Sequence, residues 1–447
     1  MKKILTYQFF LLGSILLLIS CDPTTGPEQV TTPNASVYNS DVIYDWGELI
    51  LTLSRDTPGF SPPVVARAMG YIGIGLYESI LPGMPEYKTL QGQLNAFPVG
   101  TLPKANLGEQ YNWDLVANSA MARIVENVFP NASSENKAAI SQMEADWIAK
   151  YVTENPTVAE RSIAYGSLVG DAMANFADSD TYHEAYAHNF PTSYTPPTTP
   201  GSWEPTLPDF SPALQPYWKD ARIWLIENKE GTMPGPPPPF STEIGSQFFE
   251  EANEVYHVVQ NLTPAQKSIA DFWSDDPQRT STPGGHSFSI ALGVLKKEQA
   301  NLEMSAVTIA KLGIAINDAF ISCWNAKYTY NLIRPITYIH RYIDDTWTIP
   351  LDTPPFPEYS SGHSVQSGAS AQVLTDIFGE NYAFTDSMHV SRGDIDGKPR
   401  SFNSFFEFAD EAAMSRLYGG IHFRSGIEVG LIQGMEVGKN VGKIKFK

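Results

Sequence analysis

Cysteine is nearly absent from this chain: two residues, Cys21 and Cys323, in 447. That excludes a disulfide scaffold, so stability must come from packing. Positive charge is also scarce, with 30 Lys and Arg against 49 Asp and Glu and a net charge of −19. Such a balance disfavours nucleic acid and anionic lipid headgroups as partners, and an anionic ligand would need a local cationic pocket. There is no Gly-rich nucleotide loop, no internal repeat and little alternation of the strand type. The apolar run from Phe9 to Ile19 is too short to span a bilayer comfortably. What remains is 42% hydrophobic and 12% aromatic, the composition of a globular, enzyme-sized chain.

Lys2 and Lys3 followed by the apolar run read as a secretory signal over residues 1–20. "LISC", Leu18 to Cys21, resembles the cleavage box of bacterial lipoproteins, in which the cysteine is acylated and becomes the new N-terminus. A Thr/Pro-rich stretch follows, so residues 21–45 are expected to form a flexible tether. The expectation is an exported lipoprotein, periplasmic or at the cell surface, that meets the membrane only through Cys21. Cys323 is then left without a partner.

Beyond the tether the periodicity is helical. In "SPPVVARAMGYIGIGLYESI" the residues Val65, Met69, Ile72, Leu76 and Ile80 form one stripe, and similar stripes cover 113–128, 134–151 and 157–176. Between about 183 and 241 the chain turns proline-rich, which excludes long helices and central strands. The aromatics Trp203, Phe210, Tyr217 and Trp218 within it predict an ordered wrap over a surface. Helices resume at "LTPAQKSIADFW", with Thr263 as N-cap and Pro264 at the first helical position. The fold class is all-α, with an N-terminal helical half over 46–240 that includes the wrap and a C-terminal half over 241–447.

Cations sit where apolar residues belong. The stripe Ala306, Ile309, Ile316, Phe320, Trp324 continues to Lys327, and Arg334 follows two helical turns later, on the same face if the helix persists to Pro335. In "FFEFADEAAMSRLYGGIHF", Ala409 and Ala413 lead to Arg416, and Gly419 and Gly420 then break the helix and redirect His422. Gly426, Gly430, Gly434, Gly438 and Gly442 repeat every fourth residue and predict close approach of another helix. In "PPFPEYSSGHSVQ" a helix start presents free N–H groups and positive partial charge to an oxyanion. There Ser361 offers a hydroxyl, Gly362 an unobstructed N–H, and His363 a group that exchanges protons near neutrality. His286, in "TPGGHS", reads as a loop residue.

These three blocks resemble the superfamily that joins type-2 phosphatidic acid phosphatases and vanadium-dependent haloperoxidases. Its signature is Lys, six residues, Arg-Pro; then Pro-Ser-Gly-His; then Ser-Arg, five residues, His. The chain has "KYTYNLIRP" from Lys327 to Pro335, "SSGH" from Ser360 to His363 with serine replacing the proline, and "SRLYGGIH" from Ser415 to His422. Trp324 before the lysine and Phe356 before the second block are similar to the haloperoxidase branch, as are "PGSWEPT" and "IADFWSDD".

The resemblance implies two packed helical bundles with the oxyanion site in the C-terminal one. It implies vanadate as cofactor, without haem or flavin, and hydrogen peroxide and halide as substrates, with room for an organic acceptor. It assigns the vanadium ligand to His422, the oxyanion cradle to Lys327, Arg334, Ser361, Gly362 and Arg416, and acid/base work to His363, with Lys327 polarising the peroxide. It implies that Asp275 or Asp276 pairs with Arg416. The family often carries Asp four residues after the last histidine; this chain has Gly426, so another acceptor, such as a backbone carbonyl, must fix the His422 tautomer. Iodide is expected as the preferred halide, then bromide, then chloride. Two other readings share the same residues: an acid phosphatase acting through a phosphohistidine at His422, and a non-catalytic oxyanion-binding lipoprotein.

Overall fold

The stripe from Val65 to Ile80 is buried along its whole length, on a helix that spans Pro62–Ile80. It is the second of fourteen α-helices in the structure, a computed structural model that describes residues 32–447. The signal segment and Cys21 lie outside the described residues. The N-terminal half holds α1 (Asp41–Asp56), α2 (Pro62–Ile80), α3 (Trp113–Val128), α4 (Ser134–Tyr151) and α5 (Pro156–Asp178). Their starts are local chemistry: Asn112, Ser133 and Asn155 each accept a hydrogen bond from a first-turn N–H of the helix they cap.

The tether expected over 21–45 ends earlier than its composition suggests. Ala35 and Ser40 are buried, the Ser40 hydroxyl donates to Ala300 O at 2.7 Å, and the Trp113 indole donates to Pro33 O at 2.7 Å. Asp41 already opens α1.

The proline-rich region holds the short α6 (Glu227–Glu230), and after it come α7 (Gln247–Gln260), α8 (Pro264–Phe272), α9 (Thr282–Lys297), α10 (Leu302–Tyr330), α11 (Pro335–Tyr342), α12 (Gly362–Phe378), α13 (Phe405–Tyr418) and α14 (Arg424–Gly442). Thr263 and Gln266 form a full capping box on α8. A single antiparallel pair, β1 (Phe384–Asp386) and β2 (Arg400–Phe402), sets Phe384 opposite Phe402. One apolar cluster draws on both halves, from Ala35 to Phe446, and a second, smaller one gathers Phe248, Tyr338, Phe423 and Ile427. Both α2 and α10 are long and apolar enough to cross a membrane, yet they are almost wholly enclosed by the rest of the chain, as core helices are.

Two placements govern the site. First, α14 lies against α12 backbone to backbone: a Cβ on Gly434 would fall 2.0 Å from Val365 O, and one on Gly438 2.6 Å from Gln372 Cβ. The glycine face thus sets how near the start of α12 sits to the chain leading into α14. Second, the proline-rich region turns its tryptophans into the core. Trp203, Trp218 and Trp224 are buried, whereas Phe210 and Tyr217 face solvent. Asp318 of α10 pins its end, accepting from the N–H groups of Trp224 and Leu225 at 2.8 and 2.9 Å.

Candidate active site

A cavity of about 250 Å³ opens where the start of α12, the end of α13 and the wrap meet. Gly362, His363, Arg416, His422, Trp324, Phe356, Asp275 and Asp276 line it, and Thr206 to Leu214 of the wrap form part of its mouth. Lys327, Arg334 and Ser361 lie buried behind that wall.

Lys327 is on the apolar face of α10, as its spacing predicts, and its ammonium donates to Pro357 O and Glu358 O at 2.9 and 3.0 Å. Arg334 arrives differently from the expected continuous helix. α10 ends at Tyr330 with Asn331 in the left-handed region, and Arg334 is the N-cap of α11. The turn still aims the guanidinium inward, where it donates to Phe356 O and Ile421 O, both at 2.8 Å. The Phe356 ring lies beside both cations, 4.8 Å from Lys327 Nζ and 4.9 Å from Arg334 Cζ. Burial, aided by mutual repulsion, pushes the Lys327 ammonium down to about 7 and the Arg334 guanidinium down to about 9.

Gly419 and Gly420 end α13, and the turn carries His422 to the cavity wall. The other acceptor that the absence of Asp at position 426 calls for is a carboxylate. His422 Nδ1 lies 2.7 Å from Glu358 Oε1, which also accepts from Phe423 N at 3.1 Å. Gly426 makes this possible, because a Cβ there would lie 2.4 Å from Glu358 Oε1. With Nδ1 donating to the carboxylate, Nε2 keeps its lone pair, and it faces Arg334 at 3.2 Å. Burial, then the charges of Arg334, Lys327 and Arg416, hold the imidazole well below its usual range, so it is neutral and free to act as ligand or nucleophile. Burial pushes the Glu358 carboxyl up to about 7, against the pull of the two cations.

Ser361 caps α12 and Gly362 opens it. A Cβ on Gly362 would meet only Trp324 Cζ3, at 3.7 Å, and the glycine lines the cavity. His363 stands beside it with Nε2 buried and unpartnered among the described residues, 3.6 Å from Asp275 Oδ2. Burial and Arg416 push that imidazole down to about 4. Arg416 projects inward, but neither aspartate pairs with it directly. Its Nη1 donates to Trp273 O at 2.8 Å, and its Nε has no partner among the described residues. Asp276 is exposed at the rim, and Asp275 is engaged elsewhere.

That engagement corrects the loop reading of His286. The residue is the fifth of α9, fully buried, with Nδ1 2.9 Å from Asp275 Oδ1 and Nε2 2.7 Å from Asp386 Oδ2. Two carboxylates outweigh the burial penalty and push it up to about 10, a standing imidazolium. His389 approaches the same Asp275 oxygen at 3.7 Å.

Three cations, a serine hydroxyl, a helix-start N–H and two neutral imidazoles stand at or behind the wall of one pocket, and the buried carboxylates Glu358 and Asp275 beside them are engaged by histidines. A set so rich in donors, with the buried Arg416 Nε unpartnered among the described residues, suits a multiply charged oxyanion. Vanadate fits those requirements, and the neutral imidazole of His422 would offer it a nitrogen donor at Nε2.

Comparison with known proteins agrees with this chemistry. A family model described as the VCPO second helical-bundle domain matches residues 307–348 and 343–446. Vanadium chloroperoxidase of Curvularia inaequalis is 23% identical, over 87% of this chain and 79% of the relative. The solved structure of a bacterial vanadium-dependent iodoperoxidase superposes with a TM-score of 0.81 at 34% identity, covering 91% of this chain and 96% of its own. A bacterial vanadium-dependent chloroperoxidase, at 15% identity and a TM-score of 0.64, shares the fold over 86% of this chain and 92% of its own.

Proposed function

The chain belongs to the vanadium-dependent haloperoxidases, peroxidases of the oxidoreductase class, and from that premise we propose that it oxidises iodide first, bromide second and chloride last, with His422 as vanadium ligand and His363 as acid/base. The observation that carries this reading is the Glu358–His422 contact at 2.7 Å, which presents a neutral Nε2 to a pocket of hydrogen-bond donors. Vanadate, when bound, supplies a Lewis acid that activates hydrogen peroxide toward halide while staying fully oxidised. The net reaction is X⁻ + H₂O₂ + H⁺ → HOX + H₂O.

The chain's own residues bind and orient. Lys327, Arg334 and Arg416 balance the charge of the oxyanion in a site from which water is largely excluded, where such charge is worth most. Ser361 Oγ and Gly362 N donate to it. His363, with Nε2 buried and unpartnered among the described residues, would exchange protons with an oxygen held in the cradle. Phe356 and Trp324, in contact at 4.9 Å between ring centroids, keep the cation side of the pocket dry. The iodide preference is supported by the iodoperoxidase relative and by the ease with which iodide is oxidised.

The phosphatase reading draws support from the same dyad. An unpositioned His422 would have counted against a nucleophilic histidine, but Glu358 positions it well. Apo-protein is therefore to be assayed with and without vanadate for peroxide-dependent oxidation of iodide, bromide and chloride, with a phosphomonoester in parallel. Vanadate-dependent iodide oxidation is expected; phosphate release without halide oxidation would reject the proposal, and chloride turnover equal to iodide would reject the ranking. The lipid anchor at Cys21 and an exported location are proposals from the sequence, tested by whether Cys21→Ser releases the protein from membranes.

A further inference from the structure

The halide cavity is cationic at its inner end and anionic at its mouth. Among the described residues that line it, Arg416 is the only lysine or arginine, and it is buried. Three aspartates line the same cavity from separate stretches of chain: Asp209 in the wrap, Asp276 after α8 and Asp352 in the loop before α12. All three are exposed, and none has an ion-pair partner among the described residues. The remaining acid of the lining, Asp275, is buried and engaged by His286.

Much of the rest of the lining is apolar and stiff. Pro62, Pro283, Pro354 and Pro355 contribute to it, with Phe320 and with Leu207, which is 44% exposed at the mouth. Proline and aromatic rings offer flat faces that suit a planar guest. The same lining holds a polar atom that lacks a partner. Thr353 Oγ1 is buried, and no group among the described residues hydrogen-bonds to it. A hydroxyl on a ring seated in the cavity can satisfy it.

We propose that the cavity admits an organic acceptor of one class, a small electron-rich aromatic with a cationic arm, whose ammonium meets Asp209, Asp276 and Asp352 while its ring points inward. This rests on the haloperoxidase reading and names the acceptor for it. Charge sets the orientation: the rim attracts the ammonium, and Arg416, with Lys327 and Arg334 behind the wall, repels it from the inner end. Hypohalous acid carries no charge, and on its way out it meets the ring before it meets solvent. The halogen–oxygen bond breaks as a carbon–halogen bond forms, and the proton of that ring carbon joins the departing hydroxide as water: ArH + HOX → ArX + H₂O. The oxidant is the enzyme's own product. An anionic acceptor is turned away by the rim, and a neutral one has only the apolar wall and Thr353 to hold it.

Three phenols that differ only in the arm test this: tyramine with an ammonium, 4-ethylphenol with no charge, and 3-(4-hydroxyphenyl)propanoate with a carboxylate. Their affinities for apo-protein, which need neither vanadate nor peroxide, are read by ligand-observed NMR titration at low ionic strength. Tyramine is expected to bind about fivefold or more tighter than 4-ethylphenol, with the propanoate weakest. The gap should close at about 0.5 M salt, where exposed charges are screened, a readout that needs no variant to fold. Asp209→Asn, Asp276→Asn and Asp352→Asn combined should bring tyramine to the level of 4-ethylphenol and leave 4-ethylphenol within about twofold of the parent. In vanadate-loaded enzyme given iodide and peroxide, a mixture of tyramine and 4-ethylphenol should yield a higher share of iodinated tyramine than the same mixture treated with reagent hypoiodous acid, and the triple variant should lose that excess. The variant should also lower KM for iodide, an anion the rim repels, whereas simple damage to the fold would weaken both substrates. A parent that binds 4-ethylphenol or the propanoate as tightly as tyramine, an unchanged tyramine affinity in the variant, or an iodination share equal to that from free hypoiodous acid would each overturn the proposal. Absence of vanadate-dependent iodide oxidation would overturn the haloperoxidase reading and the halogen transfer with it, while the binding order on apo-protein judges the rim by itself.

Discussion

The carboxylate of Glu358 fills the space that a side chain at position 426 would need: a Cβ on Gly426 would sit 2.4 Å from its Oε1. The group that fixes His422 therefore comes from the loop before α12 rather than from α14, and the glycine is its complement.

Removing the charge of Glu358 should loosen the metal. Glu358→Gln leaves the shape but weakens the hold on His422 Nδ1, and positioning partners of metal-binding histidines are typically worth about 10–100-fold in affinity. Vanadate titration of the apo-protein is expected to show a loss of at least about tenfold; an unchanged affinity would remove Glu358 from the site.

The exchange should be reversible. Gly426→Asp alone is expected to displace Glu358 and weaken vanadate binding, whereas Glu358→Ala with Gly426→Asp should recover much of the affinity that either single change loses. Such neighbours couple rather than add. A double variant no better than the worse single one would show that only the loop carboxylate reaches His422 Nδ1 in a useful geometry.

The two site histidines should separate by metal content. His422→Ala is expected to lose vanadium, and His363→Ala to keep most of it while losing turnover. Elemental analysis of both after identical loading decides the matter, and equal contents would reject the assignment.

Affinity should depend on pH through Lys327, which burial pushes down to about 7. The anion binds the protonated ammonium and raises its pKa, so binding draws in a proton, and affinity falls as pH rises above about 7, by up to about tenfold per unit until the bound-state pKa is reached. Lys327→Met should bind more weakly at pH 6 and lack this part of the slope. Parallel pH profiles for parent and variant would show that Lys327 does not titrate in this range.

The contact between α12 and α14 can be tested by adding one methyl group. Gly434→Ala places a Cβ 2.0 Å from Val365 O and is expected to cost about 1–3 kcal/mol by denaturant unfolding. It should also weaken vanadate binding, since Ser361 and Gly362 move with α12. Gly293→Ala, inside α9 with open space around it, should instead gain about 0.5–1 kcal/mol. Equal effects of the two would mean that backbone proximity is not what the glycine face provides.

Periodicity and motif spacing disclosed much of this. The stripes at 113–128 and 134–151 coincide with α3 and α4, and the apolar stripe that ends in Lys327 does bury the lysine. What stayed hidden was pairing at long range. Glu358 lies within a quoted stretch, but its role shows only beside Gly426, 68 positions on by sequence number; the missing side chain was the signal, and its complement could not be identified without the fold. His286 and Asp386 are 100 residues apart, so no local pattern joins them, and the glycines before His286 suggested a loop where the chain starts a helix. Arg334 reached the site although the helix expected to carry it ended at Tyr330, because a left-handed residue and a new N-cap redirected the chain.

The wrap has a consequence for how such a catalyst changes over time. Thr206 to Leu214 shape the mouth, while the groups proposed to hold the oxyanion stand on the C-terminal helices and their loops. Doorway and engine are built from different lengths of chain, so insertions or exchanges in the wrap can retune which acceptor molecules are admitted and leave the oxidising chemistry as it was. Diversification of this scaffold should concentrate there, and a library confined to residues 206–214 should yield new substrate scope at constant vanadate affinity.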